Sequence, residues 1–157
     1  MAGIEEFVRV GEVVSVNDNH TVRVKFADRG EMVSFDLPVL VPSTIDPQDY
    51  DLPVETTPVV CIFLPNGQQQ GFILGAYYTE INPAPIKNKK KHLRKYTDGT
   101  SIEYDMSSHT LTAVVKGPVN ITTTEKITIN GNLQVNGNIN ASGSIIDAGG
   151  NTNHHGH

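Results

Sequence analysis

The residues best suited to chemistry are His154, His155, Gly156 and His157. His155 and His157 are two apart, and in an extended strand residues i and i+2 point to one face. If that face looks onto a three-fold axis, three chains bring six imidazoles to one point. Six nitrogen donors suit an octahedral transition metal rather than a tetrahedral zinc. A closed shell of six nitrogens leaves no position for substrate or water, so such a metal is structural rather than catalytic. His154 faces the other way on the same strand and enters the site only if Gly156 bends the chain. The competing reading is a disordered polar tail or part of an affinity tag, but a tag is an unbroken run and Gly156 interrupts this one. His20 lies in an expected turn, His92 in a basic stretch and His109 in a second turn; each reads as structural or solvated.

Two histidines hold an octahedral ion only if something else gathers three copies, so the elements before them matter most. The chain has 157 residues and a formal net charge of -5, with no tryptophan. Six of its twelve Lys and Arg fall between Lys87 and Lys95, while residues 1–86 carry four basic and twelve acidic side chains. That balance excludes a broad basic surface for nucleic acid. The single Cys61 forms no intrachain disulfide. No apolar run approaches the length of a membrane span. The opening MAGIEEFVRV lacks the basic and apolar stretches of a secretory signal.

Residues 1–80 read as a compact β-domain. Val8 to Val16 and Val22 to Phe26 cluster or alternate as strand residues do, with Asn17-Asp18-Asn19-His20 as the turn between them. Arg29-Gly30-Glu31 is a second turn, and Met32 to Val41 a further strand region. Ser43 to Pro58, rich in Pro and Asp, reads as a loop. The continuous apolar run Val59 to Leu64 is that of a buried strand, and Gly71 to Gly75 starts another. Five or six short strands in about 75 residues fit a small barrel of the oligonucleotide/oligosaccharide-binding (OB) type. Phe63, Phe72, Tyr77 and Tyr78 sit among apolar residues as core does. Residues 81–98 read as a linker whose basic run is either hydrated or a contact for an acidic partner.

Residues 99–150 differ in kind. Ser101 to Asp105 and Thr110 to Val115 read as paired strands around a turn. Thereafter Gly131, Gly137, Gly143 and Gly149 recur every six residues, and Leu133, Ile139 and Ile145 keep step with the first three. A period this regular is a property of the fold. Each unit offers two or three small apolar side chains, too few to offset about 1–2 kcal/mol of backbone entropy per residue. One copy alone is therefore expected to be disordered. Three copies wound together would bury the equivalent apolar residues and leave no free strand edge. The glycines would take the tight bends. The expectation is an intertwined trimeric β-helix or β-prism, with 151–157 at its apex. The rival, a single-chain hexapeptide solenoid of the acyltransferase kind, needs several coils of about three hexapeptides, and four units make little more than one coil.

The motifs also carry a resemblance. Phe63-Leu64-Pro65-Asn66-Gly67-Gln68 with Gly71-Phe72-Ile73-Leu74-Gly75-Ala76-Tyr77-Tyr78 is similar to an LPNG…GFVLG signature. Asp98-Gly99-Thr100-Ser101-Ile102-Glu103-Tyr104-Asp105 with Ser108-His109-Thr110-Leu111-Thr112 is similar to a DGT-IEYD…HTL signature. With the glycine-spaced repeat and the final His-Gly-His, in that order, nearly the whole chain resembles the phage baseplate assembly protein V family. These are the central spikes of contractile tails, related to the tips of type VI secretion systems. The resemblance implies an all-β homotrimer: an N-terminal OB-like barrel docked on the tail hub and baseplate, then a triple-stranded β-helix tapering to a metal-bound apex. It implies His155 and His157 of each chain as ligands of one ion on the three-fold axis. Spacing alone fits iron, nickel or cobalt; the resemblance points to iron. It further implies a virion protein of the baseplate tip, made in the host cytoplasm, that pierces the host outer membrane when the sheath contracts. Many members continue past the motif and fold back over the apex, and the resemblance stops short of that cap at His157.

A second function class stays in view, an OB-fold module binding oligonucleotide or oligosaccharide and only trimerised by the rod. Single-strand binders need a basic groove with exposed aromatics, whereas residues 6–80 are acidic. An enzyme is not expected: no paired-carboxylate, Ser-His-Asp or phosphate-loop pattern is present. An inserted lysozyme domain, carried by some related spikes, has no room.

Overall fold

The computed structural model describes residues 7–65 and 70–146, and the chain it shows is all-β with antiparallel sheets. The chain divides into two compact units, one built mainly from the residues before His92 and the other mainly from those after it.

The first unit carries a six-stranded sheet. β1 (Val8–Asn17) turns through Asp18 to His20 into β2 (Thr21–Phe26). Alternation sets the faces of β2: Val22, Val24 and Phe26 are buried, and Arg23 and Lys25 point away. The turn is tied by side chains, with the Asn17 amide donating to Thr21 Oγ1 at 2.9 Å and Thr21 donating to Asn19 Oδ1 at 2.6 Å. His20 supplies the left-handed residue, φ 62°. One 3-10 turn, Ala27–Arg29, ends at Gly30, again left-handed, before β3 (Met32–Val33).

The strand region expected over Met32 to Val41 is broken into β3 and β4 (Leu37–Pro38). One side chain contributes to the interruption: Ser34 Oγ accepts the Val24 N–H at 2.9 Å, a donor the ladder would otherwise use. Beside it Arg23 Nε donates to Asp36 at 2.6 Å, pinning the segment between β3 and β4 to β2. β5 (Pro58–Phe63) and β6 (Gly71–Ala76) complete the sheet in the order β3-β2-β1-β5-β6, with β4 on β2. Just after β4, Val39 bridges Ile73 in parallel, and Leu40 N–H donates to Ile73 O at 3.1 Å. The segment 37–40 therefore touches both β2 and β6.

The core is Val13, Val22, Val24, Phe26, Leu37, Val59, Cys61 and Ile73, each no more than 1% exposed. Gly11 is required where β1 crosses β2, because a Cβ there would run into Val24 Cγ1 and Lys25 O. Arg9 closes one end of the core, its guanidinium 5.0 Å from the Phe63 ring and 5.8 Å from Phe26.

A separate three-stranded sheet follows, β7 (Lys91–Lys95), β8 (Ser101–Asp105) and β9 (Thr110–Val114), in that order. The pairing of β8 with β9 is as expected. β7 is not, since it lies in the stretch 81–98 read as a linker. From Val115 to Ile146 no residue is in a strand or a helix, and all are exposed.

Candidate functional site

The ligand pair named from sequence, His155 and His157, lies outside the described residues, as do His154 and Gly149. Among the described residues no three His, Cys, Asp or Glu side chains cluster to hold a metal. The remaining histidines stand apart. His20 packs its ring on Tyr50, centroids 4.8 Å apart, with both ring nitrogens shielded from solvent and without hydrogen-bond partners. His92 is exposed on β7, and His109 occupies a left-handed turn position at φ 55°.

What the structure does describe is the segment that would carry such a centre. Leu133, Ile139 and Ile145, six apart, are 67%, 62% and 73% exposed. Val119, Ile121, Ile127, Ile129 and Val135 are exposed beside them. The side-chain hydrogen bonds over 117–146 are local: Glu125 N–H donates to Thr123 Oγ1, and Gln134 to Asn136. A Cβ placed on Gly131, Gly137 or Gly143 would meet nothing within 4 Å in one chain. Only Gly131, at φ 153°, has backbone that side chains rarely adopt. Within one chain these residues bury nothing and satisfy almost nothing.

The three-stranded sheet before this segment is organised by charge. Tyr96 N–H donates to Thr100 O and Met106 N–H to Lys90 O, which sets the basic β7 antiparallel to the acidic β8. Lys91 Nζ lies 3.6 Å from Asp105 Oδ2. The Ser107 N–H, donating to Asp105 at 2.8 Å, holds that carboxyl below the usual carboxylate range, and Lys91 adds to the effect. In the β7–β8 turn, Asp98 accepts from the Thr100 N–H and hydroxyl and is lowered likewise. Part of the basic run is thus engaged within its own chain.

In the first unit the aromatic residues depart from expectation. Phe63 is part-buried against Phe26, and Phe72 is part-buried. Tyr77 and Tyr78, expected in the core, are 40% and 67% exposed. They follow the last strand, where alternation no longer dictates a face. With Val54, Thr56, Pro58 and Asn82 they line a cleft of about 370 Å³.

No protein-family model matches the chain, and no curated protein matches it.

Proposed function

We propose that this chain is the central spike of a contractile phage tail, a structural homotrimer rather than an enzyme. Its first unit is an OB-like barrel that docks on the tail hub. Residues 99–150 wind with two other copies into a triple-stranded β-helix. His155 and His157 from each chain hold one metal ion, iron by resemblance, at an apex that pierces the host outer membrane. The observation that carries this reading is the bare register of Leu133, Ile139 and Ile145. Apolar side chains repeating every six residues, with no interior in one chain, are what identical neighbours would cover in step.

Other features agree. The bridge between Val39 and Ile73 ties the end of the β4 region to β6, as closure of a small barrel requires. The exposed Ile102 and Tyr104 leave one face of β8 bare in one chain, and Leu111 on β9 is exposed as well. The donor set at the apex is neutral imidazole only, and a full shell of these supplies a clasp with no open site for chemistry. In use, the sheath provides the work. The rod provides stiffness, because bending it breaks several interchain ladders at once. Residues 99–150 at about 3.3 Å each cap its length at ~170 Å, and winding shortens it. An ion held by His155 and His157 of three chains would keep the three apex segments from splaying.

The alternative, an OB-fold binding module trimerised by the rod, gains one observation, the exposed pair Tyr77 and Tyr78 beside a cleft. The acidic balance of residues 1–86 weighs against single-stranded nucleic acid there.

Light scattering on the full chain should give three copies, and elemental analysis one metal per three chains. An anomalous scan on crystals would identify the metal. A monomer in solution would remove the spike reading, and tight, salt-sensitive binding of single-stranded nucleic acid would favour the module instead.

A further inference from the structure

The run Pro58-Val59-Val60-Cys61-Ile62-Phe63 carries no charge and no break in its apolar character. Strands that read this way are those covered on both faces, whereas a strand with one wet face alternates. In one chain only one face of β5 is covered. Val59 and Cys61 are buried in the core, while Val60 and Ile62 point the other way and are half-buried. The registers continue that outward face sideways. Val8 stands opposite Ile62, which stands opposite Phe72, and Val10 stands opposite Val60. Val8 and Val10 are 43% and 56% exposed, and Leu74, at the β5–β6 bulge, is 47% exposed. β6 has no charged residue either, and the only charge of β1 on this face is Glu12, at its edge.

Three considerations fix what covers it. First, residues 1–86 carry twelve acidic and four basic side chains, so like units repel over most of their surface. The β1-β5-β6 face is where two copies can meet without opposing carboxylates. Second, six partly exposed aliphatic and aromatic side chains amount to a few hundred Å², below the ~800 Å² per partner of a freely associating pair. A partner arriving from solution finds too little there. Third, copies already joined elsewhere meet at an effective concentration near millimolar, and a patch of this size then suffices.

We infer that the β1-β5-β6 face of the first unit, centred on Val8, Val10, Val60, Ile62 and Phe72, turns toward the three-fold axis and converges there with the same face of the other two copies of this chain. The N-terminal units thus form a second apolar junction, separate from the rod. The inference rests on the trimer proposed above. It adds that the N-terminal units are mutually docked rather than hanging independently.

Cysteine cross-linking of the full chain tests it. Val10→Cys and, separately, Leu74→Cys place a thiol on the face, and Asp18→Cys places one in the exposed β1–β2 turn as a control. The native Cys61 does not compete, because burial pushes its thiol up to about 11. A short bis-maleimide at neutral pH should link copies through Val10→Cys and Leu74→Cys roughly tenfold or more faster than through Asp18→Cys, since a held contact exceeds a loose tether. Light scattering on the same samples separates the two levels of the argument. A trimer whose face cysteines link no faster than Asp18→Cys overturns the docked units and leaves the spike standing. A monomer overturns both. Leu74→Cys keeps the test decisive should Val10→Cys unfold the unit.

Discussion

Two regions of this molecule both carry regularly placed apolar side chains and give them opposite fates. In the first unit, strands far apart in sequence converge, and Val13, Val24, Phe26, Val59 and Ile73 vanish from solvent within one chain. Over 117–146, Val119, Ile121, Ile129, Leu133, Ile139 and Ile145 all remain in water. The difference is one of reach rather than hydrophobicity. A six-residue unit with two or three small apolar side chains among Asn, Gly and Ser cannot turn back on itself to make an inside. Long strands joined by tight turns can. One region folds by closing on itself; the other, on the trimer proposed, folds only by closing on copies of itself.

The sharpest break of that comparison is to place a charge in each interior. Ile139→Asp puts three carboxylates where the proposed rod has its axis and removes three apolar side chains worth about 1.5–3 kcal/mol each. Buried carboxylates without partners add several kcal/mol more. The expected result is loss of the trimer at micromolar concentration, read by light scattering, while the first unit keeps its cooperative melt. If Ile139→Asp leaves a stable trimer, the segment does not associate through this register.

The converse substitution is Phe26→Ala. Phe26 is fully buried and meets Phe63 edge-on at 5.8 Å between centroids. Truncation should cost the first unit about 3–5 kcal/mol, a large share of the ~5–15 kcal/mol that holds a domain together. Denaturant unfolding should show an early transition for this unit with the trimer mass unchanged. Simultaneous loss of both would show that the regions are not independent.

How much of this was legible beforehand follows the same division. Val22-Arg23-Val24-Lys25-Phe26 alternates plainly, and Asn17 to His20 is turn chemistry, so β1 and β2 could be read directly. Two misreadings have physical causes. Lys91 to Lys95 looked like a hydrated linker because the run is dense in charge. In a strand, however, alternate residues share a face, and here Lys91 meets Asp105 across the ladder. Tyr77 and Tyr78 looked like core because they extend an apolar stretch, but they lie at the end of the β5–β6 pairing, where Tyr77 N–H makes a final bond to Pro58 O and no neighbour covers the rings. The apolar outer face of β5 was signalled by its unbroken run, and in one chain its Val60 and Ile62 are only half-buried. For the proposed rod, the repeat was legible, and residues 115–146 form no strand in one chain. The pairing proposed there is between chains, which no single chain's structure contains. The histidine pair lies outside the described residues, so its assignment still stands on spacing and resemblance.

A smaller effect concerns that pair. His155→Ala or His157→Ala should leave a folded trimer and remove the metal, since the apolar contacts that hold the rod lie elsewhere. Elemental analysis is the measurement, and unchanged metal in both variants would sink the assignment. Acid should mimic the substitution: imidazole binds metal only when neutral, so release is expected as pH falls through about 6.5 and below.

The smallest effect lies lower on the pH scale and in another element, which makes the two separable. Asp98 and Asp105 both have carboxyls held below the usual range, Asp98 by the Thr100 N–H and hydroxyl and Asp105 chiefly by the Ser107 N–H. A carboxyl lowered in the folded state contributes stability that is fully present above its unfolded value, near 3.9, and is lost as pH falls through its lower folded value. The three-stranded sheet should therefore hold from neutral pH down to about 4 and fray only below it. Neither group is buried in a core, Asp98 being exposed and Asp105 half-buried, so the change should be local: faster amide exchange at Thr100, Ser107 and the ends of β7 and β8, with the trimer mass intact. Asp98→Asn and Asp105→Asn should flatten that response. Metal release near pH 6 with the sheet still protected would set the two transitions apart, and fraying that begins above pH 5 would rule out these two carboxylates as its cause.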